Sequence, residues 1–389
     1  MPSAQTLGLR LAGVYGALFV VMGVTLPYWP LFLVSKGASP QQIGWLLAAA
    51  SLIKLISNPW FGQWADRLGS RKPLLIQLSV CACLIEILFW PAHDFWSLLL
   101  ITLVESACFA SLLPLTDTLT MIGVRSHHLD YGRIRLWGSL SFIAASYLGG
   151  QFLLDQPRWM IWAVVLAGHG LVIAAVLALP DWRPGKGTPS VSPNQPQGMW
   201  VALSLPRFPV FLTISSLTQL SHTIYYGFAT LYWQSKGLSS TAIGAFWAEG
   251  VIAEVVLFHF GQRLIRRFGP ERFLLWAGMG GVVRWSVLGL TTDPLALISV
   301  QWMHALTYGA NHLGSMHFIA RTAPPDQNGR AQGLYSSITA GLVPGVGFLV
   351  GGIVYNSLQG QAFWLMAGLS SVGLGLAILS FSRTASPKL

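Results

Sequence analysis

The sequence predicts an all-α membrane protein with twelve transmembrane helices in two parallel six-helix repeats. Three observations carry this expectation. Of 389 residues, 53% are hydrophobic and only 9% charged, whereas soluble domains carry about 25% charged residues. Apolar stretches long enough to cross a bilayer recur along the whole chain. The second half also repeats the first at an offset of 200 residues.

The spans are expected at 8–34, 41–64, 73–92, 96–122, 132–154, 158–179, 208–233, 241–264, 273–291, 294–320, 331–355 and 361–381. Twelve spans of roughly 20 residues use about 240 and leave short loops, with no room for a large soluble domain. Such runs must be helices, because lipid cannot satisfy open backbone groups. The first, MPSAQTLGLRLAGVYGALF, has one Arg before its apolar run and no short h-region ending at a cleavage site, so it reads as a span and not a signal peptide. Between spans six and seven lies PDWRPGKGTPSVSPNQPQG. Its Pro, Gly and Ser cannot pack a core, so residues 180–207 are expected to link a first half, 1–179, to a second, 208–389.

The repeat is ungapped over some forty residues. Ser35-Lys36-Gly37 recurs as Ser235-Lys236-Gly237, and Ile43-Gly44 as Ile243-Gly244. Arg67, Gly69, Leu74 and Leu75 recur as Arg267, Gly269, Leu274 and Leu275. Parallel repeats of this kind are used by transporters, which place the substrate between the halves near the midplane.

With the N-terminus inside, eighteen Lys and Arg residues fall on the cytoplasmic side, among them Arg10, Arg125, Arg133, Arg183, Lys186, Arg383 and Lys388. Only Lys36, Arg158 and Lys236 fall outside. Both termini are therefore expected in the cytoplasm. The net charge of +10 follows from this topology, so no nucleic-acid partner is expected. Cys81, Cys83 and Cys108 lie in apolar segments and offer neither a disulfide framework nor a metal pattern.

Charged groups inside spans mark pathways and binding sites. Asp117 and Arg135 lie nine residues either side of Ser126, so a hairpin turning there brings them to similar depth. Glu254 and Arg284 lie fifteen either side of Gly269, and Arg284 and His304 ten either side of Pro294. An acid, an arginine and a histidine at one level make a proton site, since His titrates near neutrality. Lys54 is the counterpart of Glu254 at the same offset, and Glu86 and Glu105 lie about equally far from the turn near Phe95. Lys54 is expected to neutralise one of them or to receive a substrate carboxylate. His222, His312 and His317 read as interior residues, and His127 and His128 as solvated. Tyr28 and Trp29, and Tyr225, Tyr226, Tyr232 and Trp233, occupy similar stretches of the halves and could line a cavity for an aromatic or sugar ring. Gly341, Gly345, Gly347 and Gly351 read as helix packing.

The loop after span two, Gly62-Gln63-Trp64-Ala65-Asp66-Arg67-Leu68-Gly69-Ser70-Arg71-Lys72, resembles the signature loop of the major facilitator superfamily. That resemblance implies the major facilitator fold. It makes this loop a conformational switch, with Gly62 allowing close helix approach and Asp66 and Arg67 bonding a neighbouring helix end in one state. Asp130-Tyr131-Gly132-Arg133-Ile134-Arg135 is similar to the Phe-Gly-Arg-Ala-Arg run of the lactose permease group, and the spacing of Asp117 and Arg135 matches that group's substrate pair. Phe142 stands where that group stacks an indole on galactose, which disfavours a galactoside. The resemblance also places Arg284 and His304 in the coupling machinery. The glutamate expected three residues after the histidine is Thr307, which leaves Glu254 as the proton carrier. The whole chain, including LDYGRIRLWGS and YYGFATLYWQSKG, looks similar to the phenylpropionate permease branch.

A proton-coupled symporter is therefore expected, importing an aromatic carboxylate, or a sugar or nucleoside, by alternating access. Its substrate residues would be Asp117, Arg135, Phe142, Lys54, Tyr28, Tyr225 and Tyr226, with Arg135, Arg284 or Lys54 as counter-ion. Its drive would be the proton gradient, with no cofactor, and its setting a bacterial inner membrane, as a monomer. The alternative is a drug–proton antiporter, but Ala145-Ser146-Tyr147-Leu148-Gly149-Gly150 lacks the Gly-Pro motif that exporters carry late in span five. An intramembrane enzyme or an ATP-driven pump finds no Gly-x-Ser-x-Gly, His-Glu-x-x-His or P-loop.

Overall fold

The computed structural model describes residues 3–180, 199–324 and 327–381. The expected cytoplasmic residues Arg183, Lys186, Arg383 and Lys388 lie outside the described residues, as does most of the expected linker, 181–198. The chain forms two compact units, Met1–Asn194 and Gln195–Leu389.

The regular elements described in unit 1 are all helices. Its helices are α1 (Ala4–Ser35), α2 (Pro40–Leu52), α3 (Lys54–Leu68), α4 (Lys72–Ile87), α5 (Phe95–His127), α6 (Tyr131–Leu153) and α7 (Trp159–Leu177). Ile53 interrupts the second run between α2 and α3. Unit 2 contains α8 (Phe208–Leu220), α9 (Thr223–Ser235), α10 (Ser240–Phe268), α11 (Pro270–Leu290), α12 (Pro294–Gln301), α13 (Asn311–Thr322), α14 (Asn328–Ser336), α15 (Val343–Leu358) and α16 (Ala362–Phe381). Two π-helical segments, Ala305–Ala310 and Ser337–Leu342, join α12 to α13 and α14 to α15. Taken as continuous runs, these helices make the twelve expected spans. Their outer faces suit lipid: Trp96, Leu295 and Leu379 are 74%, 78% and 78% exposed.

The repeat seen in the sequence is a repeat of backbone conformation. Gly37 and Gly237 take φ of +85° and +77°, and Gly69 and Gly269 take +64° and +78°. Glycine enters that region without Cβ strain, so it ends the helix at each point. Ser39 and Ser239 each cap the following helix, accepting from Gln42 N and Ala242 N.

Small residues let the helices approach. A Cβ on Gly23 would meet Ala145 Cβ and Phe142 O at 2.9 Å, and one on Gly168 would lie 2.7 Å from Val21 Cγ2, so α6 and α7 pack closely on α1. In unit 2, Gly281 faces Ser370 and Gly278 faces Leu374, bringing α11 onto α16. Gly347 lies against Thr223 and Leu220, which gives the glycine run its expected packing role.

Candidate functional site

A buried polar network lies in unit 2. Arg284, on α11, is fully buried. Its guanidinium lies 4.4 Å from the Tyr225 ring centroid and 4.7 Å from that of Trp285. Nη2 donates to Gln301 Oε1 at 2.8 Å, and Tyr225 donates to the same oxygen at 3.3 Å. Nη1 lies 3.3 Å from His304 Nδ1 and 3.3 Å from Thr307 Oγ1. His304 Nε2 is 3.5 Å from Glu254 Oε2. The three ionisable groups expected from hairpin spacing therefore form one chain, Glu254–His304–Arg284. Gly250 makes this possible from α10: a Cβ there would sit 3.1 Å from that of His304.

Donor arithmetic fixes the protonation of this chain. A guanidinium only donates, so His304 Nδ1 accepts, and the ring of neutral His304 carries its hydrogen on Nε2, toward Glu254. A second proton on His304 would set two donors face to face against Arg284. The same logic runs through Thr307. Its Oγ1 accepts from Arg284 and lies 3.0 Å from His222 Nε2, while His222 Nδ1 faces the Thr218 carbonyl at 2.8 Å. His222 thus donates from Nδ1 and accepts at Nε2. It is 1% exposed, at the break between α8 and α9.

Around Arg284, polar atoms of both kinds are left over, the carboxylate oxygen Glu249 Oε2 among them. Arg284 Nε and Gln301 Nε2 are both buried without a hydrogen-bond partner. Gln301 cannot be flipped to relieve this, because its Oε1 already takes hydrogens from Arg284 and Tyr225. Glu249, also on α10, is an electrostatic neighbour of Arg284. Tyr226 stacks on His222, with ring centroids 5.4 Å apart.

In unit 1 the expected acid–arginine pair is not direct. Tyr15 of α1 stands between the two. Its hydroxyl donates to Asp117 Oδ1 at 2.5 Å, as does that of Tyr131 at 3.1 Å. Arg135 lies against the aromatic faces instead, 4.1 Å from the Phe19 centroid and 5.5 Å from that of Tyr15. Asp117 is thus held by hydroxyls from α1 and α6, while Arg135 rests on rings of α1. Tyr28 and Phe142 differ from expectation more strongly. Tyr28 is 0% exposed, its hydroxyl donates to the Ser146 carbonyl, and its ring lies on Gly149. Phe142 is buried at the same α1–α6 contact. Both are packing residues in this structure. Lys54 opens α3 directly after the break and interacts electrostatically with Glu105.

A family model covers residues 8–366 of the chain, under the description MFS_1 like family. The chain belongs to this family. An Escherichia coli (strain K12) relative described as a "probable 3-phenylpropionic acid transporter" is 33% identical over 357 residues, covering 91% of this chain and 92% of the relative. A maltose permease from Geobacillus stearothermophilus is 27% identical, over 94% of this chain and 92% of its own. The crystal structure of the nucleoside transporter NupG shares the fold, with a TM-score of 0.85 at 17% identity, covering 98% of this chain and all of that one. This MFS_1 like protein is therefore a multi-pass membrane transporter of the major facilitator type and not an enzyme.

The family's signature loop has a clear internal geometry. Asp66 pairs with Arg71 at 2.6 Å within the loop. Lys72 does what had been expected of Asp66 and Arg67: its Nζ donates to the carbonyls of Leu177, at 3.1 Å, and Leu179 at the end of α7. Gly69 ends α3 in the left-handed region. Gly62 has open space where a Cβ would stand, so it marks no close approach here.

Sequence reasoning missed Tyr15, Gln301, Glu249 and His169, and treated His222 and Thr307 as bystanders. Gln301 and Glu249 carried one usable signal, a polar residue within an apolar span. Tyr15 carried none.

Proposed function

We propose that this transporter is a proton-coupled symporter that imports a small aromatic monocarboxylate by alternating access. The observation that carries this reading is the pair of orphaned buried donors, Arg284 Nε and Gln301 Nε2, beside the ring of Tyr225. Buried donors without acceptors are costly, and a substrate carboxylate would satisfy both. Tyr225 and Tyr226 offer ring surface for an aromatic body. The relative described as a phenylpropionic acid transporter supports the same substrate class. A neutral sugar or nucleoside would accept these hydrogens but bring no charge to offset the guanidinium.

Charge balance supplies the coupling. Arg284 can offset one anion among Glu249, Glu254 and the substrate. Burying a net charge at membrane depth is expensive, so each further anion enters with a proton. Glu254 is the preferred carrier, since His304 already accepts from Arg284. Asp117, Arg135 and Lys54 are assigned to the substrate path in unit 1. The reading also includes cytoplasmic termini and a monomer in a bacterial inner membrane.

The test is uptake into proteoliposomes under a pH gradient, with labelled phenylpropionate and a labelled disaccharide in parallel. Phenylpropionate should accumulate in wild type. Glu254→Gln should abolish accumulation while keeping exchange at zero gradient. Unchanged accumulation in the variant would move the proton elsewhere. No uptake of either solute, with pH-dependent loss of a preloaded hydrophobic dye, would reverse the direction of transport to export.

A further inference from the structure

Unit 1 holds a second buried polar centre, apart from Asp117 and Arg135. Glu86 is the penultimate residue of α4, and Glu105 and His169 lie ten residues beyond the first residues of α5 and α7. At 1.5 Å per residue both are about 15 Å along their helices, hence at one depth. One ligating atom from each of the three lies within 4.8 Å of the others. Glu86 is 1% exposed and His169 2%.

The atoms of this centre are mismatched as they stand. His169 Nδ1 lies 3.0 Å from the Val165 carbonyl, which only accepts, so Nδ1 carries the hydrogen. Nε2 of a neutral ring then presents a lone pair to Glu105 Oε1 at 3.3 Å. Glu86 Oε1 is buried with no partner. The other Glu105 oxygen accepts from Ser106 at 3.2 Å. Imidazole lone pair and two carboxylates converge, and such acceptors are not buried together without a cation among them.

Charge selects the cation. Two carboxylates and the neighbouring Lys54 ammonium sum to one negative charge. Among the described residues, the other titratable groups beside the cluster are the thiols Cys81 and Cys83 of α4 and Cys108 of α5, and a thiol ordinarily adds no charge at physiological pH. A divalent metal would overshoot to one positive charge. Hard monovalent metal ions favour oxygen over imidazole. A single proton closes the balance.

We propose that Glu86, Glu105 and His169 together hold one exchangeable proton, a second titrating centre independent of Glu254 and His304. Its place is the Glu105 Oε1–His169 Nε2 contact, with the Glu86 charge retaining it and Lys54 setting the neutral total. The centre stands whether or not the substrate assignment in unit 2 holds.

The test uses the full chain in lipid nanodiscs, by infrared spectroscopy of the carboxylic C=O stretch in H₂O and D₂O and by ¹⁵N spectra of His169, from about pH 5 to about pH 9. The expected result is one exchangeable hydrogen in the cluster. It would appear either as a deuterium-sensitive carboxylic band that Glu105→Gln or Glu86→Gln removes, or as a His169 ring protonated on both nitrogens. Proton release on a pH jump should fall by about one per chain in Glu105→Gln, and further in the double variant with Glu254→Gln. Both variants are near-isosteric, and size-exclusion profiles report whether they fold. If no band responds to either variant while His169 stays singly protonated at Nδ1, the proposal is wrong. It is equally wrong if elemental analysis finds one equivalent of metal that Glu86→Gln removes.

Discussion

Gln301→Glu tests whether Arg284 receives a carboxylate. The change is near-isosteric, and it places an anion where Gln301 Oε1 now accepts from Arg284 Nη2 at 2.8 Å. Tyr225 can still donate to that oxygen, so the local packing is kept. The new carboxylate occupies the guanidinium that the substrate would use and removes the Nε2 donor. A hydrogen bond to a charged group contributes about 1.5–3 kcal/mol. At about 1.4 kcal/mol per tenfold, losing one such bond weakens binding about 10- to 150-fold. Isothermal titration of the detergent-purified protein with phenylpropionate measures this directly, and phenylpropanol, which lacks the carboxylate, serves as the control. The expected pattern is a large loss for the acid and little change for the alcohol. Equal affinity of wild type and variant for the acid would refute Arg284 as the anion receptor. Equal loss for both ligands would mean that the substitution had only disturbed the pocket.

Gly149→Ala should lower stability by about 1–3 kcal/mol through overpacking, because its Cβ would lie 2.5 Å from Tyr28 Cε2; the thermal unfolding midpoint reports it. Lys72→Met removes both donors from the Leu177 and Leu179 carbonyls, and should lower the same midpoint by the equivalent of about 1–2 kcal/mol. At the start of α5, the Ser97 hydroxyl and backbone hold the Asp94 carboxyl below the usual carboxylate range. A depressed folded-state value means the cap contributes above the unfolded pKa of about 3.9 and fades as pH falls through the folded one. Amide-exchange protection in the first turn of α5 should therefore drop below about pH 4 in wild type, and show no such step in Asp94→Ala.

What could be read beforehand, and what could not, divides along a physical line. Spacing about a turn predicts depth for two neighbouring helices, and it brought Glu254, Arg284 and His304 together correctly. It says nothing about a helix remote in sequence. Tyr15, which takes the Asp117 carboxylate, comes from α1, more than a hundred residues away. His169 joins Glu86 and Glu105 from α7 in the same way. The duplication was legible because it is written in residues with strict backbone roles, Gly37, Gly69, Gly237 and Gly269. Tyr28 and Phe142 misled because an aromatic ring in a span looks the same whether it lines a cavity or fills a helix contact.

The two π segments bear on how the halves have diverged. A π turn holds one residue more than an α turn, so it stands as an absorbed single-residue insertion. Both occur in unit 2, in its fourth and fifth runs. Their counterparts in unit 1, α5 and α6, are unbroken α-helices. The N-caps of the paired runs, Asp94 of α5 and Asp293 of α12, stand 199 residues apart. One surplus residue, worth about 100° of helix rotation, shifts the offset to 200 beyond residue 310. Asp117 and His317 therefore fall at matching positions of the two halves, whereas residues of these runs before the π segment pair at 199.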